Sequence, residues 1–427
     1  MQVLLIGSGG REHALALKII QSKRLTKLYC APGNPGTESI ATNLPLNVND
    51  KRSVTDFCKN NNIDLVVIGP EQPLVYGLAD ILKSGGFKVF GPSAKAAQIE
   101  SSKTFAKTIM KHADVPTAAY IEFNNNQMSE ALSHLNQIAY PTVIKVNGLA
   151  GGKGVFICKD LLEAKIAIAE IFENNIFGES GSKLIIEEFL EGEEASIFAI
   201  TDGEIFVCLP AAQDHKRIGD GDTGKNTGGM GAYAPAPVIN PVLQKQIEKI
   251  IIKPTLNQLR ESGNKFIGCL YAGLIITKDG PKVIEFNCRF GDPETQVILP
   301  LLEGDFLQLL YSAAEGNLDV KSVKYSGGSS VCIVAASSGY PDEYKKGFEI
   351  TGLNSLDENV IIYHAGTKKS NNIILTNGGR VLGITSVINN YDLKSAKEIA
   401  YKAIDKIHFN GIYFRKDIAD KAFKYLK

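Results

Sequence analysis

In the stretch VIEFNCRFGDPET, residues 283 to 295, polar side chains recur at every second position: Glu285, Asn287 and Arg289. Period-two alternation places them on one face of a strand, with Ile284, Phe286 and Cys288 on the other. A carboxylate and an amide one strand-step apart supply hard oxygen donors. These suit Mg2+ or Mn2+, whose remaining positions go to water and phosphate oxygens. Arg289 beside such an ion would neutralise a second anion. The bland alternative is a solvent-facing strand with a salt bridge. It explains poorly why the face runs into the tight Gly291-Asp292-Pro293-Glu294.

A second cluster is IKVNGLAGGKGVFI, residues 144 to 157. It is not a P-loop, because Asn147 stands where the first glycine belongs and Gly154 follows Lys153 in place of Ser or Thr. Even so, Gly148, Gly151, Gly152 and Gly154 surround Lys153 between two strands. Glycines let the backbone approach a polyphosphate closely. Lys145, inside an apolar strand, needs an anionic partner. These features favour a phosphate-covering flap over a flexible hairpin with an exposed lysine. IIEEFLEGEE follows, with Glu187, Glu188, Phe189 and Leu190 closing a strand and Glu193 after it. An apolar slot could take adenine and a carboxylate the ribose hydroxyls. Alone the motif is weak, since acidic residues after a strand are common.

The N-terminal GSGGRE has Glu12 where a dinucleotide fingerprint needs its third glycine. A nicotinamide site and a dehydrogenase are thereby disfavoured. Gly9, Gly10 and Arg11 at a strand-to-helix turn still suit a phosphate; the alternative is a plain turn with a surface arginine.

The elements that must position these groups fall into successive units. QVLLI, LTKLYCAP, IDLVVIGP and FKVFGPS alternate with helical segments up to about residue 102. That pattern predicts a doubly wound parallel sheet, with GSGGRE, APGNPGT, GPEQPL and GPSAKAA at the carboxyl ends of its strands. A Lys-rich helix follows from Ser102. Strands around the flap, with a helix at 161–173, predict a small α+β unit over about 118–190. EEASIFAITDGEIFVCL reads as an antiparallel hairpin. The glycine-rich QDHKRIGDGDTGKNTGGMGAYAPAP reads as a long functional loop. A helix near 241–262 and the strand YAGLIIT lead to the 283–289 strand. Residues 326–427 read as a third, mostly antiparallel unit with a helix at 392–406.

The 427 residues are 44% hydrophobic and 22% charged, with Lys plus Arg and Asp plus Glu both at 46. Zero net charge argues against a broad nucleic-acid footprint. Seven cysteines without a CxxC pair read as reduced thiols. Neither a leader nor a membrane-length apolar run is expected, which predicts a cytoplasmic protein.

The motifs IGSGGREHALA, APGNPGT, GPEQPLVYG, KVNGLAGGKGV, IEEFLEGEEAS, QDHKRIGDGDTGKNTGGMGAYAPAP, VIEFNCRFGDPETQ, HAGT, TNGGRVL and FRKDIA, in this order, resemble the ATP-grasp superfamily. Within it they resemble the phosphoribosylamine–glycine ligases, the glycinamide ribonucleotide synthetases of purine biosynthesis, over essentially the whole chain. The resemblance implies an N-terminal substrate-phosphate domain (1–102), an ATP-grasp domain (103–325) with a mobile lid (118–190), and a C-terminal α+β domain (326–427). It implies ligation of glycine to 5-phosphoribosylamine with ATP, through a glycyl phosphate. The competing readings are another ATP-grasp carboxylate–amine ligase and an inactive nucleotide-binding regulatory protein. No fused later enzyme of the pathway is expected, and the assembly is expected to be a monomer or weak homo-oligomer.

The resemblance also implies roles. Lys103, Lys145, Gly152, Lys153, Gly154, Glu187, Glu188, Phe189, Leu190 and Glu193 would hold ATP, and Glu285 and Asn287 the metal. Gly9, Gly10 and Arg11 would take the ribosylamine phosphate. Asp214, His215, Lys216, Gly228, Gly229, Arg289 and Asp292 would enclose amine and glycine. Arg289, Lys153 and Lys145 would act in catalysis. For His215 the rival is a turn histidine bonded to backbone. Three departures stand out. The flap has Val146, Asn147 and Gly151 where Ala, Asp and Ala are usual; losing the aspartate puts an essential charge there in doubt. Ala419 replaces a common glycine, which reads as a packing detail. YAGLIIT carries no acidic metal ligand, so a second ion would be loosely held.

Overall fold

The computed structural model describes residues 1–150, 154–354 and 357–426. Its first sheet is parallel, with strands ordered Thr42–Asn43, Lys27–Pro32, Gln2–Gly7, Leu65–Ile68 and Lys88–Phe90. The two-residue strand at Thr42 was not legible as a strand. Side chains alternate between two cores: Leu4, Ile6 and Val66 pack in one, Val3, Leu5 and Val67 in the other. Burial on both faces is why these strands are apolar throughout.

The small unit is an antiparallel sheet ordered Tyr120–Asn124, Lys183–Glu188, Thr142–Val146 and Val155–Cys158. With helices Met128–His134 and Leu161–Phe172 it closes its own core around Phe123, Ile144, Leu184 and Ile168. Asp160 starts the longer helix by accepting from the Glu163 amide.

A larger antiparallel sheet runs Phe206–Cys208, Glu193–Thr201, Gly268–Thr277, Gly280–Asn287. Its last pair contains a bulge: Gly273 faces Glu285, but Leu274 faces Val283, so Ile284 is extra. Val283 therefore joins Phe286 and Cys288 in the core, and Ile284 is half-buried outside it. This corrects the simple alternation expected at Ile284.

The third sheet differs most from expectation. Ser329–Ser337, Arg380–Ile388 and Val360–His364 are joined by Gln213–Asp214 and Gly231–Ala234. Gly231–Ala234 pairs directly with Ser329–Ser337, so the glycine-rich stretch is not one long loop. It also folds a hairpin, Arg217–Gly219 against Thr223–Asn226. The sheet thus draws strands from both sides of residue 326. Its helix spans Leu393–Ile404. Ala419 has φ +71°, in the left-handed region. Backbone conformation, and not packing, is the physical reason glycine suits that position.

Candidate functional site

The Glu285–Arg289 face is assembled by the large sheet. Ala212 bridges Ser196, Ser196 faces Gly273, and Gly273 faces Glu285. Three small residues thus lead across the sheet to one carboxylate. Glu285 and Asn287 are half-buried, and among the described residues neither side chain makes a hydrogen bond or ion pair. Burial opposes the charge of Glu285, but Lys216, Lys145, Lys103 and Arg289 together hold its carboxyl below the usual range. A charged carboxylate beside an amide, both without protein partners, fits a divalent cation. No cluster of three or more His, Cys, Asp or Glu ligands exists among the described residues, so further positions would fall to phosphate and water.

Arg289 leaves this face. Its Nε lies 3.3 Å from Glu71 and its Nη2 3.0 Å from Glu100, and Nη1 donates to the Phe290 carbonyl. Two carboxylates thus engage its guanidinium, while its charge still acts on Glu285. Arg289 ties the GPEQPL loop and helix Ala94–Ser101 to the end of the strand, and it lowers the pKa of Glu71 against the effect of burial.

Near this face lie cations from two elements, Lys145 of the small unit and Lys103 and Lys107 of helix Lys103–His112. Lys145 Nζ is 2.7 Å from Glu187 Oε2 and donates to the Ile284 carbonyl that the bulge releases, at 3.2 Å. Lys107 Nζ is 3.0 Å from the other oxygen of Glu187. Lys103 Nζ donates to the Gly148 carbonyl, and burial lowers its pKa while Glu285 opposes that shift. Burial likewise opposes the charge of Glu187, but its two lysines hold it low. Glu187, expected at the base or ribose, thus pairs with two lysines. Glu188 is exposed and accepts from the Ala119 amide and Lys282, while Phe189 and Leu190 are half-buried where the chain passes to the large sheet. Asn147 accepts from the Thr104 amide at 2.9 Å. It caps helix Lys103–His112, a task an amide performs as well as an aspartate. Gly154 packs its backbone on Val146 and Ala150. Gly151, Gly152 and Lys153 lie outside the described residues.

Glu193 and Glu194 diverge. Glu193, expected at the ribose, meets Lys424 at 3.0 Å and Gln213 at 3.3 Å. Glu194 pairs with Lys216 at 2.9 Å on the face that holds Glu285. Asp214 belongs to this acidic group. Burial, with Glu294, Glu194 and Glu285 acting against Lys216, raises its pKa to about 7. Tyr271 and Glu294 share the Ser196 hydroxyl at 3.0 and 3.3 Å. His215 points the other way. It is fully buried near Tyr233, its ring nitrogens have no partner among the described residues, and burial lowers its pKa to about 3. Neither the substrate role nor the backbone-bonded turn histidine matches this placement.

The N-terminal loop and the Gly291–Glu294 turn meet. Gly9 N–H donates to Glu12 at 2.6 Å and Arg11 N–H to Asp292 at 3.4 Å. The Arg11 guanidinium binds Glu12 and the Phe290 carbonyl, at 2.6 and 3.1 Å. Glu12 occupies the space that Gly7 and Gly69 leave by lacking a Cβ, so the missing third glycine is a built feature. These donors already face protein acceptors, and Arg11 is buried, not the free fork expected. Arg380 completes the junction, donating to the carbonyls of Gly228 and Asp292 at 2.5 and 2.7 Å. Gly9, Arg11, Asp292, Gly228 and Gly229 are therefore brought together.

Sequence reasoning missed Lys107, Glu71, Glu100, Glu194, Glu294 and Arg380. Lys107 carried a signal, standing four residues after Lys103 on one helix face; Arg380 lay within the quoted TNGGRVL. Glu71, Glu194 and Glu294 likewise lay within the quoted GPEQPLVYG, IEEFLEGEEAS and VIEFNCRFGDPETQ, but their partners, like Glu100, required tertiary pairing.

Three family models of phosphoribosylglycinamide synthetase match the chain: the N domain over residues 1–100, the ATP-grasp (A) domain over 101–295 and the C domain over 330–421. A phosphoribosylamine–glycine ligase of Caldanaerobacter subterraneus subsp. tengcongensis is 49% identical over 419 residues, covering 98% of this chain and 99% of the relative. The crystal structure of phosphoribosylamine–glycine ligase from Thermotoga maritima is similar with a TM-score of 0.84 at 33% identity, covering 98% of this chain and all of that one. The biotin carboxylase domain of Hydrogenobacter thermophilus 2-oxoglutarate carboxylase shares the fold at 16% identity, with a TM-score of 0.75 and 97% and 91% coverage.

Proposed function

Because the chain belongs to the phosphoribosylglycinamide synthetase family, we propose that it joins glycine to 5-phosphoribosylamine with ATP, releasing glycinamide ribonucleotide, ADP and phosphate. The activity is that of an ATP-dependent carboxylate–amine ligase of purine biosynthesis, and an inactive nucleotide-binding protein is not favoured. The observation that supports the reading at residue level is that Lys103 and Lys145 stand near Glu285 and Asn287, whose side chains have no partner among the described residues.

Glycine's carboxylate would attack the γ-phosphorus and ADP would leave, giving a glycyl phosphate. The amine nitrogen would then attack the acyl carbon, and phosphate would leave with the C–O electrons. Phosphoryl transfer depends on positioning and charge neutralisation. Lys103, Lys145 and Lys153 would supply the cations. A divalent ion, Mg2+ or Mn2+, held by Glu285 and Asn287 would add neutralisation at the triphosphate. The small unit, acting as a lid, would exclude water from the acyl phosphate. The convergence of Gly9, Arg11, Asp292, Gly228 and Gly229 supports a ribosylamine site there, with Asp214 and Lys216 toward the metal face. Cytoplasmic residence as a monomer or weak homo-oligomer is part of the proposal. Seven unpaired thiols support the compartment. Among the described residues no helix is long and apolar enough to cross a membrane.

The test is ADP release by the full chain with glycine and freshly generated 5-phosphoribosylamine. ADP should accumulate at the full rate only when both are present. Equal turnover with either omitted, or with other carboxylates, refutes the substrate assignment.

A further inference from the structure

We propose that Lys107 is a positioning residue for nucleotide capture: it shares the buried Glu187 carboxylate with Lys145, which leaves Lys145 able to turn from Glu187 to the triphosphate. The inference rests on the reading that Lys145 meets the phosphates of ATP.

Glu187, Lys107 and Lys145 are 5%, 2% and 7% exposed. Each oxygen of Glu187 has its own lysine, Oε1 with Lys107 and Oε2 with Lys145. The lysines are not equivalent. Lys107 also donates to Thr117 Oγ1 at 2.9 Å and the Ala118 carbonyl at 3.2 Å, and its Nζ lies 4.8 Å from the centroid of the Tyr120 ring. Thr117 Oγ1 in turn donates to the Val283 carbonyl, so Lys107 is anchored where the small unit joins the large sheet. Lys145 has one bond besides its ion pair, to the Ile284 carbonyl at the bulge. It stands beside Lys103 and Glu285, which respectively feel its charge.

A buried carboxylate with one counter-ion holds that ion, because parting them strands a charge away from water. With two, one can leave while the other keeps the carboxylate compensated. Lys107, fixed by four groups, is the one that stays. Lys145 is the one free to exchange a carboxylate oxygen for a phosphate oxygen.

The experiment is calorimetry on the full chain with magnesium adenylyl imidodiphosphate and, separately, AMP. Lys107→Met leaves Lys145 as the remaining counter-ion of Glu187 among the described residues, so the population with Lys145 free falls. The apparent Kd for the triphosphate analogue should rise about tenfold. AMP, which lacks the outer phosphates, should bind as before. A residue that merely stabilises the fold would weaken both. Lys107→Arg should retain analogue affinity, and adding Glu187→Gln to Lys107→Met should restore most of it. Unchanged analogue binding in Lys107→Met, or equal weakening of AMP, overturns the inference. Should Lys107→Met fail to fold, Glu187→Gln alone decides: it releases Lys145, so analogue binding stays at least as tight, and weaker binding overturns the inference. Lys145→Met separates the underlying reading. If that variant binds the analogue as the parent does, the phosphate role of Lys145 fails, and the inference with it.

Discussion

Glu187 of the small unit and Glu285 of the large sheet are both strand carboxylates held in the charged form, by different means. Glu187 touches a lysine with each oxygen, and burial of the three side chains is nearly complete. Among the described residues Glu285 touches no cation within ion-pair distance, and it is kept charged by the field of four cations around it. A saturated carboxylate has nothing left to offer a ligand. A poised one retains its lone pairs, and the energy of keeping it charged is borne by residues that need not move. The partner of each oxygen is what separates their chemistry.

That contrast can be broken most severely on the saturated side. Glu187→Ala leaves two buried lysines without their anion and should cost about 3–5 kcal/mol of stability, measured as a shift of the urea midpoint. Glu285→Gln should do the reverse. Removing one preorganised charge at the reacting centre costs about 10²–10³-fold in turnover, while the urea midpoint should not fall, because no protein bond is lost. Near-parental turnover in Glu285→Gln would sink the metal assignment. Lys153→Ala should likewise lower turnover by orders of magnitude, read in the same ADP assay.

Arg380 sharpens the contrast from a third position, since its Nη1 alone serves the carbonyls of Gly228 and Asp292 and lies 3.4 Å from the Asp292 carboxylate. Arg380→Ala strips the carbonyls of Gly228 and Asp292 of a charged donor and should cost about 1–3 kcal/mol, with KM for the ribosylamine rising alongside. A stability loss with KM unchanged would separate this junction from the amine site. The smallest effect concerns Asp214. Its folded pKa is raised from 3.8 to about 7, so the folded chain holds that proton more tightly than the unfolded one. The group therefore favours folding below pH 3.8, and this contribution fades as pH climbs to about 7. Asp214→Asn should flatten that part of the urea-midpoint profile; an unchanged slope would show that the carboxyl titrates normally.

Much of the site was legible because its signals are local. Glycine spacing marked the N-terminal strand-to-helix turn, and alternation put Glu285 and Asn287 on one face. What alternation could not show was the extra residue at Ile284, since a bulge is set by the facing strand. Nor could it reveal where charged partners come from. Glu71 and Glu100 reach Arg289 from some two hundred residues away, and Glu187 pairs with Lys145 from a neighbouring strand. Adjacent Glu193 and Glu194 look interchangeable in sequence, yet the pleat sends them to opposite sides. The 213–234 stretch read as a loop because its strands are two to four residues long and rich in glycine. Their pairing is supplied by residues 329–337 and by each other.

That last pairing sets the order in which the molecule can be taken apart. The natural place to cut the gene, ahead of Ser329, would leave the Gly231–Ala234 strand with one flank bare of hydrogen bonds. An open flank of buried, small, apolar residues invites a neighbouring chain to pair with it. The final hundred residues thus serve as a clamp: until a ribosome has made them, the Gly231–Ala234 strand has no partner on that flank.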